Sequence, residues 1–290
     1  MMQTKMLRKK LGGLYILPAI VFLGFFVFFP LFYAVYCGMF QFKYMNQGPF
    51  LGLKNYIWCL TDKTILNSFK VTFTVTFWAT ISSVAFGLLI SLWIDKKKGL
   101  FSYMIELVGL LPWVISMVVC GILWKWILNG ELGLMGKMTS ALGVKSIYLF
   151  NRGDTALVTM ICIMAWRTVG YAMIMLLAGL KGIDGSLVEA AIIDGANEWQ
   201  LLWKIKIPLI MTNFLLSLIV LTVSNFTNNT IPLVLTAGGP ANATNVITLQ
   251  QYMMSFEFYE FGRSSALSLL IMLATMVIIY FYMKVTKYEL

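Results

Sequence analysis

Apolar residues in this chain arrive in long unbroken runs rather than in alternation, and the polar residues collect between the runs. The first run extends from Leu14 to about Phe40, the second from Phe69 to Ile94, the third from Tyr103 to Leu128 and the fourth from Ala156 to Leu180. A fifth starts at Pro208 and fades near Asn225, within the interval 208–230, and a sixth covers Ser264 to Val285. Each is long enough to cross a hydrocarbon core of ~30 Å as a helix. The pattern predicts an all-α polytopic membrane protein with six spans, forming a single transmembrane domain over 14–290 behind a basic leader at 1–13. The first run is too long for a signal-peptide core and lacks an evident cleavage site, so it is expected to stay as a span. Pro30 should kink it, and Pro112 lies inside the third. Between the spans, 41–67, 129–154 and 231–263 read as polar loops.

The segment 184–207 differs from the other connections because it carries its own helix signals. Ser186-Leu187-Val188-Glu189 has the S-x-x-E form of a capping box, and Asp194-Gly195 is a stop signal. A second short amphipathic helix is predicted from Asn197 to Lys206, with Leu201, Leu202 and Ile205 on one face, and Pro208 suits the first turn of the fifth span. Ala190 and Ala191 would let a partner's backbone approach closely. An amphipathic connector lying along lipid headgroups fits the same pattern.

Composition agrees with the membrane reading: of 290 residues 60% are hydrophobic and 12% charged. The net charge of +10 comes with no aromatic-interleaved basic patch, so nucleic acid is not expected. The basic residues instead flank the runs. One side collects the leader, Lys96 to Lys98, Lys181, Lys204, Lys206, Lys284 and Lys287. The positive-inside rule therefore places both termini and the 184–207 segment in the cytoplasm. There is no histidine, and the four cysteines, Cys37, Cys59, Cys120 and Cys162, show no metal-ligand spacing. No catalytic residue and no metal site are predicted. A membrane-embedded enzyme would need an intramembrane carboxylate pair or a cysteine–histidine set, and an ion-coupled carrier an acidic or histidine relay; neither is found.

Two groups of polar residues lie inside the runs. Asn225, Asn228 and Asn229 stand where the fifth gives out. The first two share a helix face at i and i+3 and offer donors and acceptors suited to sugar hydroxyls, or to a neighbouring helix. Arg167 sits near the middle of the fourth span, where an arginine costs about 2.5–3.5 kcal/mol to insert. It must face water, a solute or a partner. Trp166, Gly170 and Tyr171 lie beside it, and aromatic faces suit sugar rings. Glu106 and Lys125, near opposite ends of the third span, are expected to snorkel to the interfaces.

The run Glu189-Ala190-Ala191-x-x-Asp194-Gly195-Ala196, followed by Ile205-x-Ile207-Pro208-Leu209, resembles the "EAA" loop of the membrane subunits of binding-protein-dependent ABC importers. Lys206 departs from it, where a small or neutral residue is usual. Leu111-Pro112, Gly170-Tyr171, Leu235-Thr236-Ala237-Gly238-Gly239-Pro240 and Phe261-Gly262-x-x-Ser265-Ala266-Leu267 are similar to the branch that transports oligosaccharides and glycerol-phosphate. The resemblance implies the type I permease fold in a bacterial inner membrane, with a coupling helix (Glu189, Ala190, Ala191, Asp194, Gly195) that docks on a cytoplasmic ATPase. It also implies a second related permease, two ATPase subunits, an extracellular solute-binding protein and a sugar substrate, with Asn225 and Asn228 at sugar-contacting positions. The chain has no Gly-x-x-x-x-Gly-Lys-Ser/Thr loop, so ATP and Mg would bind to the partner ATPase and this chain would need no cofactor. An anionic solute, such as a glycerol-phosphate or a uronate-bearing sugar, is the alternative that Arg167 leaves open.

Overall fold

The structure is a computed structural model that describes residues 16–44, 46–97, 99–146 and 148–285. The basic leader, the first residues of the first span and Lys287 lie outside them. Helices dominate: α1 (Ile16–Gly38), α2 (Lys54–Thr61), α3 (Lys63–Asp95), α4 (Leu100–Val114), α5 (Met117–Ile127), α6 (Leu134–Ala141), α7 (Gly153–Lys181), α8 (Gly185–Ile193), α9 (Glu198–Leu209), α10 (Met211–Phe226), α11 (Thr230–Thr236), α12 (Ile247–Phe256) and α13 (Phe261–Val285). Strands β1 (Phe40–Lys43) and β2 (Asn46–Phe50) form an antiparallel hairpin inside the predicted first loop. The other two predicted loops hold α6, α11 and α12.

Four helices among the described residues are long and apolar enough to cross a membrane: α1, α3, α7 and most of α13. Two further candidates are broken. Helices α4 and α5 meet at 97°, and α9 and α10 at 64°, so the count reaches six when each bent pair is taken as one span. The expected third span, 103–128, is therefore not straight. Pro112 cannot donate to the ladder, Ile115 and Ser116 turn extended, and α5 restarts at Met117. Pro30, by contrast, leaves α1 continuous. The turn just before it, Gly24–Phe28, opens into π-helix, with the Phe29 N–H bonded to the Gly24 carbonyl.

The chain divides into two compact units. One comprises the chain up to Asp62 together with Gln251–Leu273. Here Asn55 Nδ2 donates to the Gly38 and Phe40 carbonyls, both at 2.9 Å, fixing the hairpin at the end of α1. The Arg263 guanidinium lies 4.1 Å from the Trp58 ring centroid and pairs with Glu260 at 3.0 Å. Cys59 is fully buried, its thiol directed at the Arg263 carbonyl, and burial pushes its pKa up to about 12. It is a packed hydrophobe rather than a reactive thiol.

The second unit, Lys63–Gln250 and the chain from Ala274, is organised by the crossing of α3 and α7. Lipid gives helices no hydrophobic reason to associate, so they approach through small residues and buried hydroxyls. Ser83 Oγ meets Thr168 Oγ1 at 2.7 Å and reaches the Ala165 carbonyl at 3.2 Å. One turn on, a Cβ on Gly87 would stand 2.6 Å from that of Ala172. Helix α4 closes on the other flank of α7, where a Cβ on Gly170 would lie 2.2 Å from the Gly109 carbonyl oxygen. Asn213 of α10 donates to the Met175 carbonyl at 3.1 Å. Around these contacts Val84, Ala172, Leu176, Leu180, Ile210 and Leu221 form a buried apolar cluster.

Gly170→Ala should therefore lower the thermal midpoint of the detergent-purified protein, at a cost of about 1–3 kcal/mol from overpacking. Gly185→Ala, whose Cβ would meet open space, should leave it within about 0.5 kcal/mol.

Candidate functional site

Helix α8 carries the predicted docking surface. Its N-cap is Asp184, two residues before the expected Ser186: the carboxylate accepts from the Ser186 N–H at 3.0 Å, and this bond holds the Asp184 carboxyl below the usual range. The aspartate reaches the orphan donor first, so Ser186 and Glu189 form no capping box. The C-terminus ends as predicted. Gly195 takes φ +83°, the Ala196 N–H bonds the Ala191 carbonyl at 2.9 Å, and the Gly195 N–H bonds the Ile192 carbonyl at 3.0 Å. This is a Schellman motif, which glycine enters at no steric cost. No residue of α8 is buried: Leu187 and Ile192 are half exposed, Ile193 is 85% exposed, and Glu189, Ala190 and Asp194 face solvent.

Helix α9 follows through a true capping box. Asn197 Oδ1 accepts from the Gln200 N–H and Gln200 Oε1 from the Asn197 N–H, both at 2.9 Å. Two ion pairs fasten α9 to the end of α3. Lys206 meets Asp95 at 2.7 Å with both side chains about one-fifth exposed, while Lys96 and Glu198 pair at 2.8 Å in solvent. The Lys96 ammonium holds the Glu198 carboxyl below its ordinary value. Lys206, the residue that departs from the EAA pattern, is thus a tether within the chain. Between these ties lies a groove of about 350 Å³, lined by Leu92, Val188, Trp199, Leu201 and Leu202.

At the third span, Glu106 and Lys125 both find partners within the chain. Glu106 pairs with Lys181 at 2.8 Å, and Lys125 donates to the Val234 carbonyl at 3.0 Å. Both charges are thereby committed to neighbouring elements.

The predicted solute residues separate into three places. Asn225, buried in α10, donates to Thr80 Oγ1 of α3 at 3.1 Å. Thr80 in turn lines a groove of about 620 Å³ together with Thr76, Thr222 and Tyr282 among aromatic and aliphatic side chains. Asn228 does not share its face, because α10 ends at Phe226. Its Oδ1 accepts from the Ile231 N–H at 3.1 Å, and its Nδ2 faces Met117 Sδ at 3.5 Å. Asn229 is half-buried and accepts from Thr230 Oγ1 at 3.3 Å. Trp166 is edge-on to Trp124 at 5.2 Å, and Arg167, 8% exposed, sits within electrostatic reach of the Cys120 thiol. Gly170 fills the α4 crossing, and Tyr171 packs on Trp113 at 5.4 Å. Asn228, Trp166 and Arg167 thus gather on one helix, α5. Gly170 and Tyr171 belong to the α4 contact and Asn225 to α3. Sequence reasoning did not single out Met117, Cys120 or Trp124, which recur at i, i+3 and i+7 on α5 and form the common face. The Gly238-Gly239-Pro240 loop is closed by Thr244, whose hydroxyl donates to the Gly239 carbonyl at 2.7 Å.

Residues 71–286 match the family described as binding-protein-dependent transport system inner membrane component. The chain belongs to that family. It is a transport subunit of an inner-membrane permease, which accounts for its several long apolar helices. Among curated relatives it is 30% identical over 90% of its length to an osmoprotective compounds uptake permease protein of Synechocystis sp., covering 93% of that protein. It is 28% identical over 97% of its length to the trehalose/maltose transport system permease of Thermococcus litoralis, covering 95% of that chain. In fold it matches a chain of a bacterial ABC transporter involved in the import of the acidic polysaccharide alginate. The TM-score is 0.84 at 19% identity, with 99% of this permease and 98% of that chain covered.

The half-buried Asp95–Lys206 pair should couple α9 to α3 energetically. In a double-mutant cycle with Asp95→Asn and Lys206→Met, thermal unfolding should report a coupling of about 0.5–3 kcal/mol. The solvent-exposed Lys96–Glu198 pair should show a smaller one.

Proposed function

We propose that this permease subunit moves a sugar or oligosaccharide through a six-span pathway. An extracellular binding protein delivers the solute, and ATP with Mg on two separate ATPase subunits drives the cycle. In this reading α4 with α5 and α9 with α10 complete the six spans, both termini and α8 are cytoplasmic, and a second related permease supplies the other half of the pathway. The similarity to a trehalose/maltose permease along nearly the whole chain supports the sugar class.

The observation that carries the reading is α8 itself. A helix capped at both ends, with Leu187, Ile192 and Ile193 exposed and every residue free of burial, is a rigid convex plug awaiting a cleft. Glu189, Ala190, Ala191, Asp194 and Gly195 form its coupling face. Closure of the ATPase dimer pulls α8, and the Lys206–Asp95 tether passes that displacement to α3 as well as to α10. The spans then rock between inward-open and outward-open states, as alternating access requires. Asn225 and Asn228, at the break between α10 and α11, are the proposed sugar-facing amides, with Asn229 beside them and the Trp166 and Tyr171 rings for apolar sugar faces.

In vesicles holding the complete transporter and its binding protein, uptake should require internal ATP and fail on an ion gradient alone. Uptake on the gradient without ATP would overturn the reading. Glu189→Ala combined with Gly195→Val should reduce ATPase co-purification at least tenfold while leaving the permease folded. An Asn225→Ala, Asn228→Ala pair should abolish uptake with the ATPase still bound; unchanged uptake would remove both amides from the pathway.

A further inference from the structure

Arg167 is the one arginine within the four long apolar helices that is more than nine-tenths buried, and it has no counter-charge. Among the described residues no carboxylate lies within salt-bridge distance of it, and no side chain or carbonyl accepts a hydrogen bond from it. Its Nε is fully enclosed and unsatisfied. Among the described helices packed around it, no carboxylate is free to supply the charge. Helix α7 has no Asp or Glu between Asp154 and Lys181, and α5, α10 and α11 have none at all. The other helices packed on α7, α3 and α4, carry Asp95 and Glu106, which are already paired with Lys206 and Lys181. Glu106 is also a long way off, since Lys181 stands fourteen residues, about 21 Å of helix, beyond Arg167. A buried guanidinium is strongly disfavoured without an anion to pair with.

What surrounds Arg167 indicates what completes it. Cys120 of α5 lies within its electrostatic reach, and Met117, one turn earlier on the same face, receives the Nδ2 of Asn228. A thioether is a weak acceptor. The Oδ1 of Asn228 is committed to the Ile231 N–H, so the asparagine presents its donor end to this patch. Arg167 and the donor end of Asn228 thus each face α5, at Cys120 and at Met117, whose thiol and thioether are both weak acceptors. A neutral sugar hydroxyl needs both donors and acceptors; a donor-only site suits an anion.

We propose that Arg167, assisted by the Asn228 amide, holds an anionic group of the transported solute (a carboxylate, phosphate or sulfonate), so that the cargo is an acidic sugar derivative. The inference rests on the importer reading above and narrows its substrate class. The competing source of a counter-charge is an acidic residue of the second permease. The two sources differ in what Arg167 does before solute arrives: a salt bridge to the partner would make assembly depend on it, and a solute anion would not.

The test uses the complete transporter in vesicles with its binding protein and matched probe pairs: glucose and glucuronate, glycerol and glycerol 3-phosphate, maltose and its uronate-ended counterpart. The charged member of at least one pair should be taken up at least tenfold faster than its neutral mate. Arg167→Gln should abolish that preference, with a loss of about tenfold to hundredfold for the charged member, and Arg167→Lys should retain part of it. Arg167→Met should assemble normally and raise the thermal midpoint of the solute-free complex, because it removes an unpaired buried charge. Equal uptake of both members of every pair, or wild-type uptake of the charged one by Arg167→Gln, would overturn the proposal while leaving an ATP-driven importer intact. Failure of Arg167→Met to assemble would identify a salt bridge to the partner permease and also overturn it. No ATP-dependent uptake of any probe would strike the importer reading itself and this inference with it.

Discussion

The near-contact of α3 with α7, made through Ser83, Thr168, Gly87 and Ala172, sets where everything else in the larger unit can stand. Two helices with bulky side chains along this line would be held apart, with too little packing between them to exclude lipid. The shared hydroxyl pair settles two buried polar groups at once, and the missing side chain at Gly87 lets the backbones close. Gly170 extends the same logic to α4, and Asn213 to α10. Helix α7 becomes a post with three helices fastened to it. The residues proposed to meet solute or ATPase are all placed relative to that post.

Against this rigid frame the breaks are informative. Backbone interrupted at membrane depth is tolerated where it is buried in protein or lines a cavity. The stop at Phe226 and restart at Thr230 are of this kind: the Ile231 N–H, orphaned by the break, is satisfied by Asn228, and the Thr248 hydroxyl donates to the Asn228 carbonyl at 3.2 Å. The same break frees the Asn228 amide to face α5. At the other end of α10, the Lys206–Asp95 pair ties the segment that follows α8 to α3. A displacement applied at α8 therefore has a stiff path into two long helices.

The apolar runs made the long helices legible, because hydropathy over twenty residues reports burial in lipid directly. Their directions were not legible. The α4–α5 bend keeps the composition apolar on both sides, so no hydropathy window detects a 97° turn, although Pro112 marked its neighbourhood. The hairpin at Phe40–Phe50 and the short helices α6, α11 and α12 were read as loops because each is too short for its periodicity to stand out from turn residues. Around α8 the stop at Gly195 was clear, since only one residue there suits a left-handed backbone. The start was ambiguous because Asp184 and Ser186 are both good caps two positions apart. At the candidate solute site the polar residues were found by their incongruity in apolar sequence. Their grouping was missed because Asn225 and Asn228 diverge only once the helix between them has ended. The long-range pairs Lys206–Asp95 and Lys181–Glu106 join residues 111 and 75 positions apart, which no local pattern records.

The proposed joint through which an ATPase moves this permease is α8. The most direct measurement places a single cysteine at the most exposed apolar position of that helix, Ile193→Cys, in a chain whose four native cysteines are replaced, and cross-links it within the assembled transporter. A cross-link from position 193 to a cleft on the ATPase subunit is expected, at a yield that changes between the nucleotide-free and ATP-bound complexes. Labelling of position 193 by lipid-phase or aqueous reagents alone, with no ATPase adduct in the intact complex, would contradict it.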